Sequence, residues 1–341
     1  MRFKLLSGAD LCSAPPMRWM VRGVLPVEGL AALYGPSGSG KSFLTLDLGA
    51  AIASGAGTWF GHRARQSSVT YVCLEGEQGM GKRIKAWSMH HGRPVPDSLQ
   101  FVTQPFDLRK MDDVTDLANA IKAVGGAGGL VILDTLNRAA PGVDENSSVD
   151  MGRVIAAAKH LQSLTGGLVL LVHHTGKDAN KGLRGHSSLH AALDGAIEVC
   201  QNDDCRTWRI AKSKDDETGC VRGFKLHALV IGVDEDGEDI TSCVVLPEDV
   251  SEEVKRTAMP RGENQKIAVE VIDGLLRESQ VYGQGGAPAG QQCVRLDDAI
   301  KAVTERVDAD AKHRKQRAKE SITSVVEKGI YGCKDGWLWR N

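Results

Sequence analysis

The chain has 341 residues, 42% of them hydrophobic, with 42 Lys and Arg against 43 Asp and Glu and a net charge of −1. That length and apolar content suffice for two domains with a sizeable core, and they exclude an intrinsically disordered chain. The near-zero charge excludes a globally basic nucleic-acid binder, so any phosphate contact has to come from local basic patches.

Residues 1–28 read as a short, irregular N-terminal segment carrying Pro15-Pro16 and Pro26. They lack the apolar core of a signal peptide, and no later run approaches the ~20 apolar residues of a membrane span. The expectation is a cytoplasmic protein with no membrane contact. The eight cysteines form no C-x-x-C pair, so zinc-ligand spacing is absent. Cys73 and Cys200 fall in strand-like apolar runs and read as buried thiols of a reducing compartment.

From 29 to 250 strands and helices alternate, which predicts an α/β core. A buried strand over 30–34 runs into Gly35-Pro36-Ser37-Gly38-Ser39-Gly40-Lys41-Ser42, and a helix over 41–54 follows. This is G-x-x-x-x-G-K-[ST] in its strand–loop–helix context, the pattern of a phosphate-binding loop. Its glycines let backbone N–H groups turn toward phosphate oxygens, and the helix N-terminus adds partial positive charge there. Lys41 is expected to reach the β- and γ-phosphates of ATP, and the Ser42 hydroxyl to hold Mg²⁺.

A second apolar strand, 69–74, leads into Glu75-Gly76-Glu77, with a helix over 79–91 and an extended segment at 99–104. A carboxylate at this strand tip suits activation of the water that attacks the γ-phosphate. Glu75 is favoured; Glu77, two residues on, reads better as a surface carboxylate. A helix over 112–124 precedes the strand 130–133, which ends in Asp134, a placement suited to orienting Mg²⁺ beside the loop serine. A helix over 148–165 precedes the strand 168–172 and its tip, His173-His174, where one imidazole is placed to sense the γ-phosphate. The following loop, 175–186, carries Lys177, Lys181 and Arg184 among glycines, a composition suited to a nucleic-acid backbone. Near-continuous apolar strands separated by helices predict a mostly parallel sheet covered on both faces.

Beyond 195 four short strands, 195–201, 206–212, 223–232 and 240–246, read as β-hairpins added at the edge of that core. Arg206, Arg209, Lys212 and Lys214 decorate the second of them and its end, 206–214. In a ring ATPase such a cation, supplied by a neighbouring subunit, neutralises transition-state charge. Residues 251–262 read as a linker. Residues 263–341 read as a small winged-helix-like domain, with helices over 263–279, 296–306 and 310–328 and a two-strand ribbon around Trp337-Leu338-Trp339. Its third helix carries Lys312, His313, Arg314, Lys315, Arg317 and Lys319.

Taken together, Gly35–Ser42, Tyr71-Val72-Cys73-Leu74-Glu75, Leu133-Asp134-Thr135-Leu136, His173-His174-Thr175-Gly176-Lys177 and Arg184-Gly185-His186-Ser187-Ser188-Leu189 resemble the RecA-like ATPases. Within these the chain most resembles the RepA-type hexameric helicases of plasmids and phages, over about residues 15–230. The resemblance implies nucleotide and Mg²⁺ binding at Lys41 and Ser42, metal support from Asp134, and Glu75 as the catalytic carboxylate. It also implies His174 as the γ-phosphate sensor and Arg209 as the trans finger, with Lys212 and Lys214 beside it. Residues 144–150 and 175–186 fall where that family's DNA-facing loops lie. The expected protein is therefore an ATP-hydrolysing motor, by that resemblance a hexameric ring, that binds single-stranded DNA through its ATPase loops and duplex DNA through its tail. It serves as a replicative helicase or as a replication initiator of a mobile element. The rivals are a recombination or strand-binding ATPase and an ATP-switched DNA-binding regulator that does not translocate. The added tail departs from the compact plasmid type.

Overall fold

The protein was analysed as a computed structural model that describes residues 5–13, 16–55, 57–175, 187–202, 205–213, 221–249, 263–288, 290–308, 310, 313–327 and 330–340. Two compact units divide the chain. One comprises Met1–Gln201, Lys212–Lys214 and Lys225–Leu246; the other comprises Asn202–Ala211, Asp215–Phe224 and Pro247–Asn341. The expected linker, 251–262, lies outside the described residues.

The first unit opens with a short helix, α1 (Gly8–Cys12), and the paired strands β1 (Trp19–Val21) and β2 (Leu25–Pro26). Then come β3 (Gly29–Gly35), α2 (Lys41–Ser54), the hairpin β4 (Thr58–Trp59) and β5 (His62–Arg63), β6 (Val69–Cys73), α3 (Glu77–His91) and β7 (Leu99–Val102). They are followed by α4 (Met111–Ala123), β8 (Leu130–Asp134), α5 (Leu136–Ala139), α6 (Ser148–Thr165), β9 (Leu168–His174), α7 (Ser187–Ala192) and β10 (Gly195–Asn202). Six of these strands lie parallel in the order β10-β3-β9-β8-β6-β7. Every residue of β6 and β8 is buried, as is all of β9 except His174. Strands buried on both faces need no polar alternation, which is why their sequences are unbroken apolar runs. Helix α2 packs on β3, β6 and β7, and α6 on β3 and β9. The expected α/β architecture with a mostly parallel sheet is therefore present.

Two readings of the chain change. Residues 195–201, expected as the first strand of the added hairpins, also join the parallel core. They form β10, which runs parallel to β3 with Ala196 opposite Ala32 and Ile197 opposite Leu33, and so flanks the loop-bearing strand. Ala196, Ile197 and Val199 are wholly buried there. Helix α3 starts two residues early, at Glu77, because Gly76 takes the left-handed conformation (φ 70°) at its N-cap. The later strands are β11 (Cys205–Ser213), β12 (Val221–Val233) and β13 (Asp239–Glu248), with β11 antiparallel to the start of β12.

In the second unit the tail forms α8 (Glu263–Glu278), β14 (Cys293–Arg295), α9 (Leu296–Arg306), α10 (Arg314–Glu327), β15 (Tyr331–Lys334) and β16 (Trp337–Arg340). The sheet has three antiparallel strands in the order β14-β16-β15, one more than the expected two-strand ribbon. Ala268, Ile272, Val303, Ala318, Val325 and Leu338 lie in one closed core. Leu338 is buried, while Trp337 and Trp339 are half-buried. The Tyr331 hydroxyl donates to Asp273 Oδ1 at 2.6 Å, and the Arg340 guanidinium also bonds that carboxylate, tying the last strand to α8. Among the described residues of the whole chain, no helix is long and apolar enough to cross a membrane.

Candidate functional site

The loop 35–42 joins the carboxyl end of β3 to the first turn of α2. Two of its glycines answer different demands. At Gly35 a Cβ would lie 2.3 Å from the Val199 carbonyl oxygen of β10, so the first glycine is required by close strand packing. Gly40 has φ 89°, a left-handed turn that delivers the chain into α2 and that only glycine adopts without strain. Ser39 is buried and its hydroxyl donates to the Pro36 carbonyl at 2.8 Å. Pro36 is half-buried, Ser37 and Gly38 are exposed, and Ser42 is half-buried at the start of α2.

Lys41 is 6% exposed and folds back over the loop. Its ammonium donates to the Pro36 carbonyl at 2.7 Å and to the Gly35 carbonyl at 3.1 Å. Burial pushes the ammonium pKa down, and the carboxylates of Asp134 and Glu75 push it back up.

Three adjacent parallel strands bring the other groups to this rim. Cys73 on β6 pairs with Asp134 on β8, Asp134 with Val172 on β9, and Gly35 on β3 with His174 on β9. The alternation of a strand separates the two histidines: His173 is 1% exposed within the sheet, and His174 turns toward the loop. His174 Nδ1 lies 3.4 Å from Lys41 Nζ, and its Nε2 lies 4.0 Å from Glu75 Oε2. That same carboxylate oxygen accepts the Thr135 hydroxyl at 3.0 Å. Thr135, Glu75, His174 and Lys41 thus form a continuous polar run across the mouth of the loop. Glu77 instead stands in the first turn of α3, where it lines a cavity of about 580 Å³ with Cys73, Phe106, Lys110 and Arg138.

Asp134 is wholly buried. Oδ2 accepts the Tyr71 hydroxyl at 2.5 Å, whereas the buried Oδ1 has no donor within hydrogen-bond geometry. Burial raises the Asp134 pKa; Tyr71, the nearby Ser42 hydroxyl and Arg83 oppose it. The peptide bond from Asp134 to Thr135 is cis. A buried, half-satisfied carboxylate beside a loop serine matches the oxygen donors that Mg²⁺ takes, directly or through its bound waters.

Two residues of this neighbourhood escape sequence reading. Thr135 is 3% exposed and stands one position past the strand-end aspartate, inside the segment Leu133–Leu136, to which sequence reading assigns no role for it. Arg83 lies over the Phe43 ring at 4.8 Å, and its buried Nη1 has no hydrogen-bond partner. The signal for Arg83 is its place in the second turn of α3, which becomes informative once α3 is known to begin at Glu77.

The remaining candidates lie elsewhere. Arg209 is half-buried on β11, across from Val221 of β12. Lys212 Nζ donates to the carbonyls of His190 at 2.6 Å and Ala191 at 3.1 Å, at the end of α7. Lys214 and the loop 176–186 lie outside the described residues. Segment 144–150 is tied to itself: Asp144 Oδ1 accepts from the Asn146 backbone at 3.0 Å, and Ser147 caps α6. It carries Asp144, Glu145 and Asp150 and no cation, so to a phosphate it offers only the neutral donors of Asn146, Ser147 and Ser148.

A family model described as an AAA domain matches residues 1–180. No curated protein matches the chain. Among solved structures, it resembles a crystal structure of the RadB recombinase with a TM-score of 0.43 and 15% identity, over 59% of this chain and 88% of that one. The ATPase domain of G40P gives a TM-score of 0.44 at 11% identity, over 58% of this chain and 81% of that one. A KaiC-like protein from Pyrococcus horikoshii OT3 gives 0.44 at 14% identity, over 68% of this chain and all (100%) of that one.

Proposed function

The chain belongs to the AAA domain family, and on that premise we propose that its RecA-like core is a Mg²⁺-dependent ATPase acting as a DNA-associated motor. In this reading it works as a hexameric ring, a replicative helicase or a replication initiator of a mobile element. The observation that carries the hydrolytic part is the polar run Thr135–Glu75–His174–Lys41 at the mouth of the loop.

Residues 35–42 wrap the phosphates with backbone N–H groups. Lys41 exchanges its carbonyl partners in the loop for the β- and γ-phosphate oxygens. Ser42 and Asp134, whose Oδ1 has no hydrogen-bond donor, would hold Mg²⁺. When bound, that ion would supply neutralisation of the charge on the phosphate oxygens. Glu75 takes the proton of the attacking water as the new bond to the γ-phosphorus forms and the bond to ADP breaks. His174, between Glu75 and Lys41, senses whether the γ-phosphate is present and passes that state to the loop 175–186. Through Lys177, Lys181 and Arg184 that loop holds single-stranded DNA. Arg209 of a neighbouring subunit completes the charge neutralisation in trans.

The test is ATP turnover with and without single-stranded DNA, for the natural chain and for Glu75→Gln. Hydrolysis should rise with the strand. Glu75→Gln should bind ATP unchanged and lose turnover by about 10²-fold or more, the range for a lost general base. An active Glu75→Gln beside a dead Glu77→Gln would move the base to α3. Failure of the natural chain to open a forked duplex would leave an ATPase that does not translocate.

A further inference from the structure

We propose that the tail is a duplex-DNA docking module whose contact face is the exposed N-terminal half of α10. The inference goes beyond the hydrolytic reading and does not depend on it.

Charge in the tail is sorted. Residues 263–341 hold thirteen Lys and Arg against twelve Asp and Glu, yet 312–319 hold five cations and no carboxylate. Packing explains which way they face. Ala318, Ser321, Ile322 and Val325 are the buried stripe of α10, at helical spacing against α8 and α9. Arg314, Lys315, Arg317 and Lys319 are all exposed on the remaining surface. Arg317 shares Glu320 at 3.3 Å with Gln316 at 3.1 Å. Lys315 and Lys319 have no carboxylate partner among the described residues. Four residues apart, they share one face and stand about 6 Å apart along the axis.

Two unpaired lysines on an exposed helix favour a polyanion, and the rest of the face selects the kind. It carries no Phe, Tyr or Trp on which an unpaired base would stack, which weighs against a single strand. A helix fits the major groove of a duplex, roughly 12 Å wide, with exposed Gln316 and His313 in reach of base edges. The hairpin β15–β16 turns tightly through Asp335 (φ 51°) and Gly336 (φ 76°) and leaves Lys334 exposed for a flanking phosphate.

The experiment uses the full chain without nucleotide and a short blunt fluorescent duplex titrated across a salt series. Compared are the natural chain, the pair Lys315→Ala with Lys319→Ala, and the pair Lys315→Arg with Lys319→Arg. The natural chain and the arginine pair should bind, with affinity falling as salt rises. The alanine pair should bind more weakly, with a log–log slope flatter by about 1.8, two contacts at about 0.9 each. Its ATP turnover should stay at the natural level, so a failure here stays distinct from a failure at Glu75. No duplex binding at low salt, or an alanine pair with unchanged affinity and slope, overturns the proposal and leaves the face to an acidic protein partner.

Discussion

Thr135 Oγ1 donates to Glu75 Oε2 at 3.0 Å, and the same oxygen stands 4.0 Å from His174 Nε2. Glu75 is about half exposed, at 47% for its side chain, so little packing restrains it and the hydroxyl is its anchor. Thr135 is in this sense a positioning residue, acting on the reaction through Glu75. Valine has nearly the same shape and no donor. Thr135→Val should therefore keep ATP affinity and lower kcat by about 10- to 10²-fold, the scale of a misplaced reacting group. Thr135→Ser, which restores the hydroxyl, should recover most of it. A valine variant with natural turnover beside a serine variant that loses it would mean that the methyl packing matters and the hydrogen bond does not. Steady-state kinetics alongside an ATP-binding isotherm separates these outcomes.

Around Asp47 three elements meet. The Trp59 indole of β4 donates to its carboxylate at 2.9 Å, and Trp87 of α3 is nearby without reaching hydrogen-bond geometry. Burial raises the Asp47 pKa from 3.8 to about 6, with the indoles opposing. Only the side-chain end is deeply covered; the residue as a whole is half-buried. The protonated form is the one the fold favours. Its contribution to stability is full below the unfolded value of 3.8 and is lost as pH rises through about 6. Asn keeps an acceptor for Trp59 and carries no charge. Asp47→Asn should match the natural chain below about pH 4 and exceed it above pH 6, by on the order of 2–3 kcal/mol for a shift of this size. Thermal melts across that range read the gap directly; a constant gap at every pH would show that the Asp47 pKa is the same folded and unfolded.

At the scale of the whole molecule the proposed ring rests on Arg209 reaching a neighbour's loop. Arg209→Ala and Lys41→Ala should each be inactive alone. Mixed in one assembly, a Lys41→Ala subunit supplies an intact Arg209 to the intact loop of an Arg209→Ala neighbour. Turnover should then rise above either variant, because a trans finger contributes about 10³–10⁵ in rate. Assemblies shown to be mixed and still inactive would assign Arg209 to its own subunit or to the stability of β11. Size under ATP, measured on the same mixtures, reports the ring independently.

The phosphate loop, the strand-end Glu75 and Asp134 and the core strands were legible in the sequence, because each depends on local patterning. Glycine spacing, an apolar run and the residue closing that run lie within a few positions of one another. The cationic half of α10 was legible for the same reason, since helical spacing alone puts Lys315 beside Lys319. What the sequence left open involved partners far apart in the chain. The pairing of β9 with β3 is what brings His174 and not His173 to the loop, and the hydroxyl that anchors Glu75 comes from Thr135, 60 residues away. The structural reason for Gly35 is the carbonyl of Val199, which no local pattern joins to the loop. That residues 195–201 also pair in parallel with β3 was not legible, because a short apolar strand looks the same at a sheet's edge and in its core. Local periodicity is written along the chain; adjacency between strands, and the side chains that it brings together, is decided only when the sheet assembles.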